Sequence, residues 1–509
     1  METVRDERRA TSLARRRYLR IAAIAIGLLP LLVSEGLCRV YELFDDPERS
    51  PFVDRPSVFE LNPPRLFVKS ADGTKYQIDP RRTNYFYPQT FEVQPESNSK
   101  RVFVVGGSTV AGRPYATETA FSSFLHDRLT IAEPRHTFEV INVGGVSYAS
   151  YRLEKLVDEL VEYQPDLVII YTGHNEFLEW HTYDALRRQT PLRRSVQRVG
   201  SRSALVRTLV RIRDRYVANA SEEPKPYDSN DLVTLSDEVE ATLDRSDAMD
   251  VYVRDEALRL RIVDAFEHTL DRMVRNLRDR NIEVVLCVPA SEIVDTPPFK
   301  STPLTGQTID DARRYSTLVD TMMNVDMSEG ERVAAAQSIL RMDPHHADAA
   351  YFLGRHHLAA GNYEQAIEYF TAARDDDVCP LRAPTAIRSH VESVARRHGV
   401  PAIDITAALD HRDLNHRRVP DGCVDPRLMV DHVHPSITGH RHIADAIMTA
   451  LVKSGWIDNA ADATRVEQSD RQRIESLPPQ YEARAEQRLN GLRIWARQRV
   501  NPIDRSPGD

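Results

Sequence analysis

Five short apolar runs recur along this chain: Val102 to Val105, Phe138 to Val143, Leu167 to Tyr171, Ile282 to Val288 and Ala402 to Ile405. Each is about the length of a strand, and helical periodicity fills the intervals between them. The clearest interval carries Ile262, Val263, Phe266, Leu270, Met273, Val274 and Leu277, three or four apart and therefore on one helix face. Strands that alternate with helices predict an α/β fold around a parallel sheet. With 509 residues the chain is long enough for further units besides that sheet.

Two stretches break the rhythm. Between Arg187 and Arg215 ten arginines are spaced among Leu205, Val206, Leu209, Val210 and Ile212, ahead of an acidic stretch from Ser221 to Asp250. This reads as a solvated helix face, with contact to anionic membrane or acidic polysaccharide as the alternative. The second break is helical. Ala349-Ala350-Tyr351-Phe352-Leu353-Gly354 is followed by Ala366, Phe370 and Ala373, which sets small residues where two helices cross. This resembles a tetratricopeptide repeat, and Ala335, Ala336 and Ile339 leading to Pro344 resemble the second helix of a preceding one. Ala350 and His357 depart from the aromatic residues common at their positions. The resemblance covers roughly 45 residues, about one and a half repeats, too few to stand alone, so the segment is expected to lean on the α/β domain. It is read first as a brace or lid, and second as a groove for a protein partner.

At the N-terminus six arginines between Arg8 and Arg20 precede an apolar run from Ile21 to Val33. A cleaved signal peptide and an uncleaved anchor both fit; the anchor is favoured because no small-x-small cleavage site follows and Glu-Gly-Leu before Cys38 is a poor lipobox. Positive residues stay on the cytoplasmic side, so the remainder is expected to be extracytoplasmic, periplasmic or extracellular. The expected organisation is a cytoplasmic start (1–18), a transmembrane signal anchor (19–41), a lead-in (42–95), a hydrolase-like domain in two parts (96–300 and 381–456) around a helical insertion (301–380), and a charged tail (457–509). A net charge of −9, from 67 Lys and Arg against 76 Asp and Glu, argues against nucleic acid as a partner. The four cysteines form no zinc-type pair, and a Cys379 to Cys423 bridge stays open.

The chemistry lies at strand ends. Gly106-Gly107-Ser108-Thr109 closes the first run ahead of a helical stretch from Thr117 to Leu129, a setting in which a serine gains backbone N–H donors for a developing oxyanion. Taken alone, that turn equally suits a phosphate or a plain helix cap. Asn142-Val143-Gly144-Gly145-Val146-Ser147 ends the second strand and Gly173-His174-Asn175-Glu176 the third. In a parallel sheet these loops converge on one crevice. Asp431-His432-Val433-His434, just before a helix from Gly439 to Lys453, adds a base and a carboxylate three residues apart. His432, His440 and His442 crowd that segment, but no Cys or Glu pattern completes a zinc site, so neither metal nor cofactor is expected.

Four blocks in this order resemble the SGNH hydrolase (GDSL-like esterase) superfamily, over about 96 to 300 and 381 to 456. The resemblance implies a three-layer α/β/α arrangement of the parallel sheet, with Ser108 as nucleophile, His434 as general base and Asp431 as the residue that orients it. It also implies an oxyanion hole from the amides of Ser108 and Ser147 and the side chain of Asn175, with Gly145 as the alternative to Ser147. Two departures stand out: Gly106-Gly107-Ser108 replaces Gly-Asp-Ser, and Ser147 occupies a customary glycine position. The function so implied is an anchored serine esterase acting on acyl esters, O-acetyl esters of a polysaccharide being favoured. An O-acyltransferase on the same residues, and a catalytically inactive tetratricopeptide scaffold, are the alternatives.

Overall fold

Val102 to Val105 are wholly buried, which requires that their strand be covered on both faces, and a central parallel strand is the arrangement that does so. In the computed structural model, which describes residues 65–83, 85–180, 252–303, 308–410 and 421–497 with positions 27, 29, 30, 33–40, 204, 205 and 208, this is how they sit. The described residues fall into two units, a few within Met1–Pro64 and Ala185–Thr234 and the rest within Arg65–Asp184 and Leu235–Asp509. Much of the expected anchor, the start before it, the arginine-rich stretch with its acidic sequel, and the last residues of the tail lie outside the described residues. Among the described residues no helix is long and apolar enough to cross a membrane.

A small antiparallel meander comes first, β1 (Phe67–Lys69), β2 (Lys75–Ile78) and β3 (Thr90–Glu92). The main sheet has five parallel strands, β4 (Ser99–Gly106), β5 (Thr137–Gly144), β6 (Leu167–Tyr171), β7 (Glu283–Val288) and β8 (Ala402–Asp404), in the order β5-β4-β6-β7-β8. The chain moves outward from β4 to β5 and then returns to β4's other side, so the C-terminal ends of β4, β5 and β6 frame a topological switch point.

Alternate residues of each strand feed opposite layers. Phe103, Val105, Val168 and Ile170 pack with α3 (Ser150–Leu160), α4 (Glu256–Arg278) and α9 (Thr385–His398). Val102, Val104, Leu167 and Ile169 pack with α2 (Phe121–Ala132) and α11 (Ile437–Lys453). The predicted α/β class and three-layer order are therefore observed, with strand ends within a few residues of those read from the sequence.

Between β7 and α9 lie four helices, α5 (Ile309–Met323), α6 (Glu329–Met342), α7 (Ala347–Ala359) and α8 (Tyr363–Asp375). Ala350, Ala366 and Ala373 are buried at the α7–α8 crossing, and a Cβ on Gly354 would stand 2.8 Å from the Phe370 ring, so the small residues set that approach. α5 falls inside the expected helical insertion, but the sequence reading singled out no individual helix there. Its buried residues are Tyr315 and Met322, with none of the small residues that mark the repeat.

After α10 (Ile405–Ala408) and α11, the tail forms α12 (Ala463–Glu475) and α13 (Tyr481–Arg497). Asp470 on α12 is buried between Arg128, at 3.0 Å, and Arg441, at 2.7 Å. Asp127 pairs with Arg473 at 2.6 Å. All four cysteines are free thiols, Cys379 and Cys423 included. Burial by itself would raise the Asp127 carboxyl, but His126 and the Arg473 guanidinium bring it down to about 2. A carboxyl whose native pKa lies below its unfolded value contributes stability above about pH 4 and loses that contribution as pH falls through its native value. Asp127→Asn is therefore expected to lower stability by about 1–2 kcal/mol near neutrality. In urea titrations the gap to the wild type should close between about pH 4 and pH 2; a gap unchanged down to pH 2 refutes the assignment.

Candidate active site

Ser108 opens α1 (Ser108–Ala111) directly after β4. The turn is tight because two glycines leave no room for side chains. A Cβ at Gly106 would lie 2.1 Å from the Tyr171 carbonyl oxygen, and one at Gly144, the end of β5, 2.1 Å from the Ala111 amide nitrogen. Three strand ends thereby close around α1. Ser108 is half-buried at the start of this helix, where N–H groups have no intrahelical acceptor.

His434 and Asp431 lie on a loop ahead of α11. Val430 donates its N–H to the His434 carbonyl at 2.9 Å, and Met429 bridges Pro435, which folds the loop into a small hairpin. Asp431 Oδ1 accepts the amides of Val433 at 2.9 Å and His434 at 2.8 Å. Its Oδ2 takes the Nδ1 proton of His434 at 2.6 Å. With Nδ1 as donor, Nε2 is the acceptor, and Ser108 Oγ stands 2.8 Å from it. Thr109 Oγ1 donates to the Val433 carbonyl at 3.2 Å and so ties α1 to this loop.

Burial would push the Asp431 carboxyl up, yet the adjoining imidazoles of His434 and His432 and the hydrogen bonds from His434 and the Val433 amide hold it well below the usual carboxylate range. It is an anion at any working pH. His432, His174 and His440 are driven the other way by burial, to about 4, about 4 and about 3. His174 Nε2 meets the Ala290 carbonyl at 2.8 Å, and His440 Nδ1 accepts the Phe121 amide at 3.3 Å. Among the described residues no group of three His, Cys, Asp or Glu side chains is set to hold a metal.

The expected oxyanion donors are placed unequally. Asn175 Nδ2 donates one proton to the Tyr148 carbonyl at 3.1 Å, and its second N–H is left for another acceptor. The same nitrogen would stand 2.8 Å from a Cβ at position 107, so Gly107 leaves the Asn175 amide its place beside the nucleophile. The Gly145 N–H already donates to the Gly106 carbonyl at 2.9 Å. The alternative donor is thus engaged. The Ser147 amide donates to no backbone carbonyl among the described residues, and Ser147 takes the left-handed conformation, φ 59°, that a glycine would adopt without strain.

Two supports complete the frame: Glu176, which with His174 flanks Asn175 and is expected from the sequence to shape the pocket, and Glu292, which the sequence reading missed. Glu176 accepts the Ser150 amide at 2.8 Å and the Ser150 hydroxyl at 2.7 Å, fixing the start of α3 just after the Ser147 loop. Glu292 donates its amide to the His432 carbonyl at 3.0 Å, bracing the histidine loop from the end of β7. Only Glu176, by its proximity to Asn175 in the chain, carried a signal.

Residues 333–378 match the tetratricopeptide repeat family. No curated protein matches the chain. Among solved structures it is similar to a putative lipolytic protein of the G-D-S-L family from Desulfitobacterium hafniense DCB-2, at 11% identity over 68% of this chain and 97% of that one, with a TM-score of 0.28. It is similar to the acetylxylan esterase Axe2 from Geobacillus stearothermophilus, at 13% identity over 69% and 94%, with a TM-score of 0.30. LAE5, an alpha/beta hydrolase enzyme from the metagenome of Lake Arreo, Spain, is similar at 16% identity over 69% and 94%, also with a TM-score of 0.30. Likenesses this distant carry no argument about the site, which stands on its own geometry. The chain has a three-layer α/β/α fold with an inserted segment that matches the tetratricopeptide repeat, and at the C-terminal edge of its sheet Ser108, His434 and Asp431 are joined in a line by hydrogen bonds.

Proposed function

We propose that this protein is a serine esterase in which Ser108 is the nucleophile, His434 the general base and Asp431 the residue that orients the imidazole. One observation carries the reading: Ser108 Oγ and His434 Nε2 are 2.8 Å apart although 326 positions separate them, and Asp431 completes the line at 2.6 Å. A hydroxyl so placed gives up its proton to Nε2 as it attacks an ester carbonyl, and the ionised carboxylate stabilises the imidazolium that results. The amides of Ser108 and Ser147 and the Asn175 side chain take the oxyanion. Histidine then returns the proton to the leaving alcohol, and water repeats the sequence on the acyl-enzyme.

The finer reading is an enzyme held outside the membrane by residues 19–41, acting on acyl esters, O-acetyl groups of a polysaccharide among them. Its support is the arginine-then-apolar N-terminal sequence, which would leave the domain facing surface or exported polymers. The intact mass of the membrane-extracted full chain tests the anchor: a mass lacking the first thirty or so residues would mean a cleaved leader instead.

Labelling by a fluorophosphonate probe is expected for the wild type and absent in Ser108→Ala, whose ester hydrolysis should drop by roughly 10⁴-fold or more. Folded wild-type protein that neither labels nor cleaves any ester would instead favour an inactive scaffold, and acyl capture by added sugars faster than by water would favour a transferase. Asn175→Ala should lower kcat by about 10²–10³. Ser147→Gly should stay within about threefold of wild type, because there the backbone amide is the donor. A large loss in Ser147→Gly would place the role in the hydroxyl and overturn this assignment.

A further inference from the structure

Burying a charged guanidinium without a partner costs several kcal/mol, so buried arginines ordinarily hold a carboxylate. Among the described residues four buried arginines do so, and a fifth, Arg82, donates to the buried Tyr148 hydroxyl at 2.6 Å. Arg101 pairs with Glu139 at 2.7 Å, Arg128 with Asp470 at 3.0 Å, Arg374 with Asp375 at 2.9 Å and Arg382 with Asp377 at 3.5 Å. Arg113 differs. It is 7% exposed, and its Nε is buried with no hydrogen-bond partner. No carboxylate pairs with it among the described residues.

Its place in the fold is specific. The Arg113 amide donates to the Ser108 carbonyl at 3.1 Å, so the residue directly follows the turn of the nucleophile. Its charge acts on Tyr87, whose hydroxyl donates to the Tyr115 carbonyl at 2.8 Å and whose side chain packs on Ala111 of α1 and on Val146, the neighbour of Ser147. Arg113 thus stands on the side of the site that carries the oxyanion loop. The loop that bears it is pinned from outside. Arg488 of α13 donates to the Pro114 carbonyl at 3.1 Å, and the Tyr481 hydroxyl meets Thr119 Oγ1 at 2.7 Å. Glu118, a carboxylate whose charge acts on Tyr87, is exposed and forms an ion pair with neither arginine.

We infer that Arg113 is the anion-binding element of the substrate site, and that the ester this enzyme cleaves carries a carboxylate close to the scissile bond, as an O-acylated uronate does. This rests on the serine-esterase reading above and names its substrate class. A guanidinium presents parallel N–H donors that match a carboxylate's two oxygens, and in a dry, pinned position it binds without reorganising. The missing counter-charge then arrives with the substrate.

The test compares O-acetylated methyl glucuronide with O-acetylated methyl glucoside, which differ at the carboxylate, using the full-length protein with fluorophosphonate labelling alongside. Wild type should favour the acidic ester by about tenfold or more in kcat/KM, chiefly through KM. That ratio should fall to about one in Arg113→Met and stay intermediate in Arg113→Lys. Free methyl glucuronide should inhibit the wild type at least tenfold more tightly than methyl glucoside, a difference lost in Arg113→Met. Wild-type protein that labels at Ser108 yet treats the two esters alike overturns this inference and leaves the esterase reading standing. Protein that neither labels nor cleaves either ester overturns both. An Arg113→Met variant that does not fold, judged by circular dichroism, would assign the guanidinium a structural place and also overturn the inference.

Discussion

The hydrogen bond between Ser108 and His434 ties the first strand of the main sheet to the last loop before its final long helix, and the rest of the architecture is what keeps those two points within 2.8 Å. Two backbone contacts do most of that. Parallel pairing of β4 with both β5 and β6 brings three strand ends level, and glycines at 106 and 144 let α1 settle between them. On the far side, Thr109 donates to the Val433 carbonyl, so the nucleophile's helix and the histidine loop are joined directly. Asp431 adds a further constraint. By accepting two backbone amides as well as Nδ1, one carboxylate fixes both the fold of the loop and the tautomer of its histidine.

The appended elements act on the same loops. Tyr351 and Arg355 of α7 reach the Val294 carbonyl, and Ile293 and Val294 pack with Ala350, Ala366 and Phe370. Two residues before Val294, the Glu292 amide supports His432. A repeat segment too short to bury its own faces therefore obtains a cover from the β7 loop, the same loop whose Glu292 amide meets the His432 carbonyl. The tail does the corresponding service opposite, where Tyr481 and Arg488 grip residues 114 to 119 behind the nucleophile.

What could be read from residues alone follows from this division. β4, β6 and β7 were legible because strands covered on both faces are largely apolar, the edge strands β5 and β8 because they still carry short apolar runs, and the α7–α8 pair because its crossing demands alanine and glycine. α5 was not, since a helix that buries only Tyr315 and Met322 leaves little pattern to find. Ser108, Ser147, Asn175, Asp431 and His434 all sit at strand or helix ends, where a motif shows in sequence. The choice between Ser147 and Gly145 as donor was hidden, because it turns on whether an amide is already bonded, and sequence does not carry that. Arg113 was hidden for a related reason: a sequence shows a charge but not the lack of a partner.

Four buried or half-buried histidines crowd this edge of the sheet, and a proton acceptor works best when its neighbours stay uncharged. Burial of His174, His432 and His440 holds all three neutral above about pH 5, and each is also disfavoured as a cation by proximity to His434. The effect is reciprocal. Were any of them protonated, the imidazolium that forms on His434 during attack would be opposed by a like charge in a poorly screened setting. With them neutral, the one full charge in contact with that ring is the Asp431 carboxylate, of the sign that favours proton transfer. Burial of three histidines and ionisation of one aspartate thus leave the His434 ring, set between the Asp431 carboxylate and the Ser108 hydroxyl, with no like charge among these neighbours.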